Sequence, residues 1–379
     1  MVQYSVFQQI SNDPQYTYKL MQLPPELLTY LKNDNTDNEL VLKSTINSDQ
    51  VVICSDSKTW RLRQMNHSNT ALICDNMNIN LNHKITDPLI PGLEGEKINS
   101  FENQLIGFNS SSYEYELTPI AGKIEIENLP RYSGDKLSDD TLNVGTVNWT
   151  LAEILENSLI SKHEFFAQWY ELGGCIVDDY AYILTNEYIT EILYLLITIL
   201  ISEEFNYKDD KANIDSIEKS VINQNHTINR SILETIIHKF GDDISSTTFK
   251  LNNSKIAQWF GIQTLSRTSS NLINPKDFLL QWKSSLPSFY NVSLDMHDLR
   301  GNYCCPIKDR ILYVDQIGLS SNLSIRFVQL FQLDKSWNYD DFIPFIKDFV
   351  PHGKKVDSII LKYAKKKKLT KDKFLVVPR

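Results

Sequence analysis

Ten cationic side chains crowd residues 354–379: Lys354, Lys355, Lys362, Lys365, Lys366, Lys367, Lys368, Lys371, Lys373 and Arg379. Asp357 and Asp372 are the acids among them, so this stretch carries +8 and the rest of the chain must sum to −17 of a total of −9. A basic end on an acidic body points to nucleic acid or an acidic protein surface as ligand. Val356, Ile359, Ile360 and Tyr363 recur at i, i+3, i+4 and i+7, which predicts a helix over 355–364 with one buried face. Lys355, Lys362, Lys365 and Lys366 would then face solvent, with Lys367, Lys368, Lys371 and Lys373 following. Lysines so placed would contact phosphates, giving affinity without sequence readout and a steep salt dependence. The plainer alternatives are a solvated face, or a nuclear-import signal at 365–368.

Catalytic chemistry has less to stand on. Asp295-x-His297-Asp298 is the one cluster of metal-ligand types, and without a second cluster it reads as a polar turn before Leu299. A hydrolase built on Asp295, His297 and Asp298 is the enzyme alternative, and it would lose activity with His297. Gly122-Lys123 and Gly353-Lys354 lack the upstream glycine of a phosphate-binding loop, no G-x-S-x-G occurs, and no H-E-x-x-H follows from His163-Glu164. The five cysteines form no C-x-x-C pair, which suits reduced thiols in a nuclear or cytosolic protein better than disulfides or zinc. We expect no enzyme, no metal and no cofactor.

The elements that must carry these groups fall into two styles. Residues 39–74 hold short runs rich in Val, Ile, Leu, Thr and Trp (Leu40–Lys43, Val51–Cys54, Lys58–Met65 and Thr70–Cys74) broken by turn chemistry such as Asn66–Asn69. Period two puts Trp60, Leu62 and Gln64 on one face and Arg61, Arg63 and Met65 on the other. Four short strands with two arginines on a face make a poor core alone. The stretch reads as half of a composite β-structure, with Trp60, Arg61, Leu62, Arg63 and Leu72 in partner assembly. The alternative is an ordinary small barrel completed by residues 1–38, which carry the strand-like Tyr4–Ile10 and Thr17–Leu23 and a helix at Glu26–Leu31. Residues 88–128 read as a connector with isolated strands such as Lys123–Ile126.

From Asn148 the period becomes helical. Thr150-x-x-Glu153 and Ser161-x-x-Glu164 are capping-box patterns, and Asp178-Asp179 between Cys175–Val177 and Tyr180–Leu184 reads as a hairpin. Helix, turn, helix and hairpin outline a winged helix, closed by an apolar helix at Tyr188–Ser202. A second round runs through Ser231–Phe240, Lys255–Phe260 stopped by Gly261, Pro275–Trp282, and a hairpin at Tyr303–Cys305 and Ile311–Val314. A third runs through Leu323–Leu333, Tyr339–Phe345 and Lys355–Ala364 to a strand at Phe374–Val377. Phe165, Trp169, Trp259, Trp282 and Trp337 fit core packing better than base stacking. The apolar run Ile192–Ile201 is far short of the ~20 residues that cross a bilayer, and Met1–Gln15 lacks the pattern of a signal peptide, so no membrane contact is expected.

Three stretches carry a resemblance. Lys58–Cys74 (KTWRLRQMNHSNTALIC), Leu129-Pro130-Arg131-Tyr132, and residues 326–346 with Arg326, Phe327, Leu330, Phe331, Leu333, Trp337, Asp341, Pro344 and Ile346 in place resemble the sister chromatid cohesion subunit family of the alternative, replication factor C-like clamp loader. The resemblance implies an α+β multidomain chain: a β-barrel-like domain over 1–90 shared with partner subunits, a connector over 91–145, and winged helices over 146–215, 216–318 and 319–379. It implies a nuclear, non-catalytic subunit acting in loading or unloading of the sliding clamp. The implied partners are the C-terminal tail of the large ATPase subunit, a small companion subunit, the catalytic subunit of DNA polymerase epsilon, and single- and double-stranded DNA, with the clamp reached indirectly. A stand-alone winged-helix DNA-binding regulator is the alternative.

Overall fold

Residues 59–76 form one long strand in this computed structural model, the spine of the first of two compact units. The structure describes residues 4–8, 18–33, 39–45, 48–76, 104–134, 148–207, 210–223, 228–245, 247–268, 271–350, 354–370 and 373–379. The first unit comprises Met1–Glu127 and Thr150–Gln168, the second Asn128–Trp149 and Trp169–Arg379.

The first unit is built on one sheet. Its elements are β1 (Ser5–Gln8), β2 (Met21–Gln22), helix α1 (Pro25–Lys32), β3 (Val41–Thr45), β4 (Ser48–Cys54), β5 (Thr59–Asn76) and β6 (Gln104–Ile120). The strand order is β1-β6-β5-β4-β3, with β2 also on β6. Both N-terminal strands run parallel to β6 and the other neighbours are antiparallel. Among the described residues this sheet has two ends and does not close, which corrects the barrel expectation. The reason is β6, which enters between the N-terminal strands and β5.

That strand also corrects the connector reading, since Gln104–Ile120 pairs with β5 almost end to end. Residues 91–103 and 135–145 of the expected connector lie outside the described residues. The turn expected at Asn66–Asn69 is a register shift inside β5, between the pairs Asn66–Tyr113 and Ala71–Ser111. Pro25 opens α1, where its missing N–H costs nothing. From α1, Leu27 packs with Ile53, Trp60 and Leu117 into the core of the sheet, flanked by Leu23, Tyr30 and Leu62.

Helix α2 (Leu151–Asn157) and the first turns of α3 (Lys162–Glu171), expected to open a separate winged helix, belong to this first unit. The capping box of α2 is complete: Glu153 N donates to Thr150 Oγ1 (3.4 Å) and Thr150 N to Glu153 Oε2 (2.8 Å). At α3 Glu164 does something else. Its carboxylate accepts from Thr59 Oγ1 (2.6 Å) and Ser161 Oγ (2.7 Å), tying helix to sheet. Lys43 Nζ on β3 donates to the carbonyls of Leu155 (2.7 Å), Ser158 (3.3 Å) and Ile160 (2.9 Å), at and just past the C-terminal end of α2.

The second unit repeats a helix-and-hairpin theme. Strands β7 (Arg131–Tyr132), β8 (Gly174–Val177) and β9 (Tyr180–Leu184) form a sheet in the order β7-β9-β8. Asp178 and Asp179 take positive φ (49° and 70°), the conformation a two-residue hairpin turn requires, as the sequence predicts. Helix α4 (Asn186–Ser202) is apolar nearly all round and buries Ile189, Leu193, Leu196, Ile197 and Leu200.

Next come β10 (Ala212–Asn213), α5 (Ile214–Asn223), α6 (Arg230–Phe240), β11 (Gly241–Asp242), β12 (Thr248–Leu251), α7 (Asn253–Arg267), α8 (Pro275–Ser285), β13 (Tyr303–Ile307) and β14 (Arg310–Tyr313). One continuous core runs from Cys175 to Ile311. Helix α7 passes through Gly261, where a stop was expected. A Cβ there would lie 2.7 Å from the Trp282 ring and 2.8 Å from Leu299, so the glycine serves close packing.

A second core joins α9 (Leu323–Leu333), β15 (Trp337–Asn338), α10 (Tyr339–Phe342), α11 (Val356–Tyr363), β16 (Ala364–Lys368) and β17 (Phe374–Pro378), with strand order β15-β17-β16. Phe165, Trp169, Trp282 and Trp337 are buried and Trp259 is half-buried, its Nε1 donating to Thr190 Oγ1 (3.0 Å), so core packing accounts for these rings. Among the described residues no helix is long and apolar enough to cross a membrane.

Candidate nucleic-acid interface

The apolar period of α11 lands as predicted: Ile359 and Ile360 are buried, Val356 and Tyr363 half-buried. The lysines that follow do not continue the helix. Ala364 turns the chain extended, and Lys365, Lys366, Lys367 and Lys368 form β16, paired with Val377, Val376, Leu375 and Phe374. The strand's two-residue period then splits them. Lys365 and Lys367 are exposed on one side, whereas Lys366 turns inward with only 19% of its side chain accessible.

Lys366 Nζ lies 3.0 Å from both oxygens of Asp357, 3.8 Å from the Tyr339 ring centroid and 4.5 Å from that of Phe374. It is a structural cation, which corrects its expected place on a solvent-facing helix surface. The Tyr339 hydroxyl, donating at 2.6 Å, and then Lys366 hold the Asp357 carboxyl below its ordinary range, against burial, which raises it. Burial and the same carboxylate push the Tyr339 phenol up to about 12.

The remaining cations form the exposed set. Lys354, Lys355, Lys362, Lys365, Lys367, Lys368, Lys373 and Arg379 are solvent-exposed, and Lys371 lies outside the described residues. Leu361, Ala364, Lys365, Lys366, Lys367 and Arg379 line an open cleft of about 620 Å³, in which Arg379 also donates to the Leu361 carbonyl. An open, cation-rimmed cleft at the end of α11 can accept phosphate or carboxylate oxygens, and among the described residues Lys365 and Lys367 form no ion pair that a ligand would displace.

The partner-assembly residues divide by face. Trp60 is buried in its own sheet and offers a partner no surface; Leu62 is half-buried beside it. Arg61 and Arg63 are exposed on the other face, and Leu72 is exposed over Gly107. Sequence reasoning missed a more open candidate, the edge strand β3, where Val41 and Leu42 (64% exposed) stand on a strand paired on one side by β4. Its signal was the apolar pair itself at the start of an extended run. Asp295 accepts from His297 N (2.8 Å) and caps the turn Met296–Leu299, as the plain reading of that cluster expects. No group of three potential metal ligands occurs among the described residues.

Several residues that carry the resemblance are structural. Arg326 is 5% exposed, and it donates to the carbonyls of Phe345 (2.7 Å), Leu319 (3.2 Å) and Ser320 (3.3 Å) beneath the Phe349 ring. Burial lowers its affinity for the proton, yet three carbonyls take up its Nε and Nη1 hydrogens. Trp337 Nε1 donates to the Leu330 carbonyl (3.1 Å) and Asp341 accepts from Arg300 Nε (2.9 Å). Tyr132 sits edge-on to Tyr182 and Tyr188.

The family model for the sister chromatid cohesion protein Dcc1 matches residues 18–346. The chain belongs to the Dcc1 family. It is 31% identical over 372 residues to sister chromatid cohesion protein DCC1 of Saccharomyces cerevisiae, covering 94% of this chain and 96% of the relative. It is 24% identical over 354 residues to the protein of that name in Homo sapiens, covering 91% and 84%. A probable sister chromatid cohesion protein DCC1 of Dictyostelium discoideum is 23% identical, covering 94% and 92%. These Dcc1 relatives are named for cohesion and not for a reaction. The Dcc1 match includes the buried Arg326 and Trp337 and ends before α11, so the lysine strand lies past it.

Proposed function

We propose that the chain is a non-catalytic adaptor in sister chromatid cohesion, a nuclear subunit of the alternative, replication factor C-like clamp loader. In this reading the exposed cations of α11, β16 and the chain end bind single- or double-stranded DNA or an acidic surface of the catalytic subunit of DNA polymerase epsilon. The helix-and-hairpin rounds act as winged helices. The open edge of the first sheet receives strands from the large ATPase subunit's tail and the small companion subunit. Several weak contacts on one chain raise the loader's effective concentration at the fork, where it loads or unloads the sliding clamp. The single observation that supports this most is the exposed set Lys362, Lys365, Lys367 and Lys368, which among the described residues form no ion pair such as the one that occupies Lys366.

The test uses the full chain with Lys365, Lys367 and Lys368 changed to Glu. Fluorescence anisotropy against duplex and single-stranded DNA, and pull-down of the polymerase subunit, should show weakened binding with partner assembly intact. Unchanged affinity for both ligands at low salt overturns the reading. The stand-alone DNA-binding regulator has one observation in its favour, the sheet core that β6 completes within the chain. It predicts that the purified chain remains monomeric when mixed with the loader's other subunits.

A further inference from the structure

Away from the lysine strand, the second unit carries a groove of about 520 Å³ between α8 and the segment that follows it. Leu279, Leu286, Val292 and Leu294 give it an apolar floor, and Lys276 and Lys283 stand at its rim. The two lysines are seven residues apart on one helix, about 10 Å along its axis. Both are exposed, and neither forms an ion pair among the described residues. Leu280, on the same helix, is 67% exposed.

The residue that precedes the groove-lining Tyr290 is strained. Phe289 has φ of +67° and its side chain is 81% exposed. For a bulky residue the left-handed region is strained, and it persists only where neighbours over-determine it. Here they do: Tyr290 N donates to the Pro287 carbonyl (3.1 Å) and Tyr290 Oη to Asn253 Oδ1 (2.5 Å), with Pro287 and Tyr290 buried. The chain thus holds an aromatic ring in water through backbone strain, one residue before Tyr290, which lines the groove. On a body whose charge outside residues 354–379 sums to −17, α8 with Lys276 and Lys283 against the single acid Asp277 carries +1, a local reversal of sign.

We propose that this groove docks an acidic segment of another protein, which places apolar side chains on the floor and against Leu280 and Phe289, and carboxylates on Lys276 and Lys283. Nucleic acid suits the site less well, because the floor offers apolar contact where a backbone of phosphates needs charge and hydrogen bonds. The site is separate from the lysine strand and does not depend on the clamp-loader reading.

The test takes the full chain and a fluorescent synthetic peptide with Leu and Phe on one helical face and Glu and Asp on the rest. A scrambled peptide of the same composition is the control. Saturable binding of the first and not the second is expected. Lys276→Glu combined with Lys283→Glu should weaken it at least about tenfold, as should Leu280→Asp. Phe289→Gly should weaken binding and raise Tm, because glycine takes positive φ without strain. A merely structural Phe289 would not show that opposite pair of effects. Equal binding of both peptides, absence of saturable binding, or unchanged affinity in these variants overturns the proposal. So does displacement of the peptide by duplex DNA whose binding depends on the two lysines but not on Leu280 or Phe289.

Discussion

At Asp357 a carboxylate, a phenol and an ammonium meet: Tyr339 donates at 2.6 Å and Lys366 at 3.0 Å. The carboxyl is held below its unfolded value, so its ionised form stabilises the fold above the unfolded value, about pH 4, and that contribution is lost as pH falls through the folded value. Asp357→Asn should therefore lower Tm at neutral pH and flatten the fall in Tm below about pH 4, measured by circular dichroism across an acid series. Tyr339, pushed up to about 12, remains a donor through neutral and mildly alkaline pH, so no alkaline loss is expected there near pH 9–10, roughly two units below. The inward turn of Lys366 was not legible in the sequence. A run of four lysines has no apolar alternation, and the strand's face is assigned by Asp357 and Tyr339, which lie up to 27 residues upstream.

Elements with strong internal period were legible; those defined by remote neighbours were not. The i, i+3, i+4, i+7 pattern placed α11, the capping signature placed α2, and Asp178-Asp179 placed its hairpin. Strand β6 was missed because Asn109–Ser112 at its middle is turn chemistry, and its stability comes from β5 far upstream in sequence. Without β6 the fragment 1–90 lacks the strand that pairs β5 along most of its length. That fragment should show no cooperative melt, while residues 1–168 should melt sharply, monitored by circular dichroism and light scattering. Gly261 looked like a helix stop because contact with Trp282 and Leu299 cannot be read locally. Gly261→Ala should destabilise by about 1–3 kcal/mol in chemical denaturation despite alanine's better helix propensity, since overpacking outweighs propensity here.

Across the whole chain, the sign of charge along the sequence was legible from composition, and its presentation was not. The +8 of residues 354–379 is delivered by a helix end, a strand and a terminus together, with Lys366 withdrawn from the set. If three of these exposed lysines contact duplex phosphates, the slope of log affinity against log salt should fall by about 0.9 for each one removed. Anisotropy titrations of Lys365→Ala, Lys367→Ala and Lys368→Ala, singly and combined, measure it. The family match spans residues 18–346 and ends before the lysine strand, so that surface must be tested residue by residue.

The lysine that closes α2 has a practical use. Burial lowers the proton affinity of Lys43, and three carbonyls enclose its amine. An acylating reagent should modify it slowly in the native chain and at an ordinary lysine rate once the strand and helix part. Mass spectrometry of timed labelling at this position, compared with the exposed Lys58, would make Lys43 a built-in clock for opening of the first unit. Acylation, once made, removes the charge that held the carbonyls, so each labelled molecule closes less stably than before.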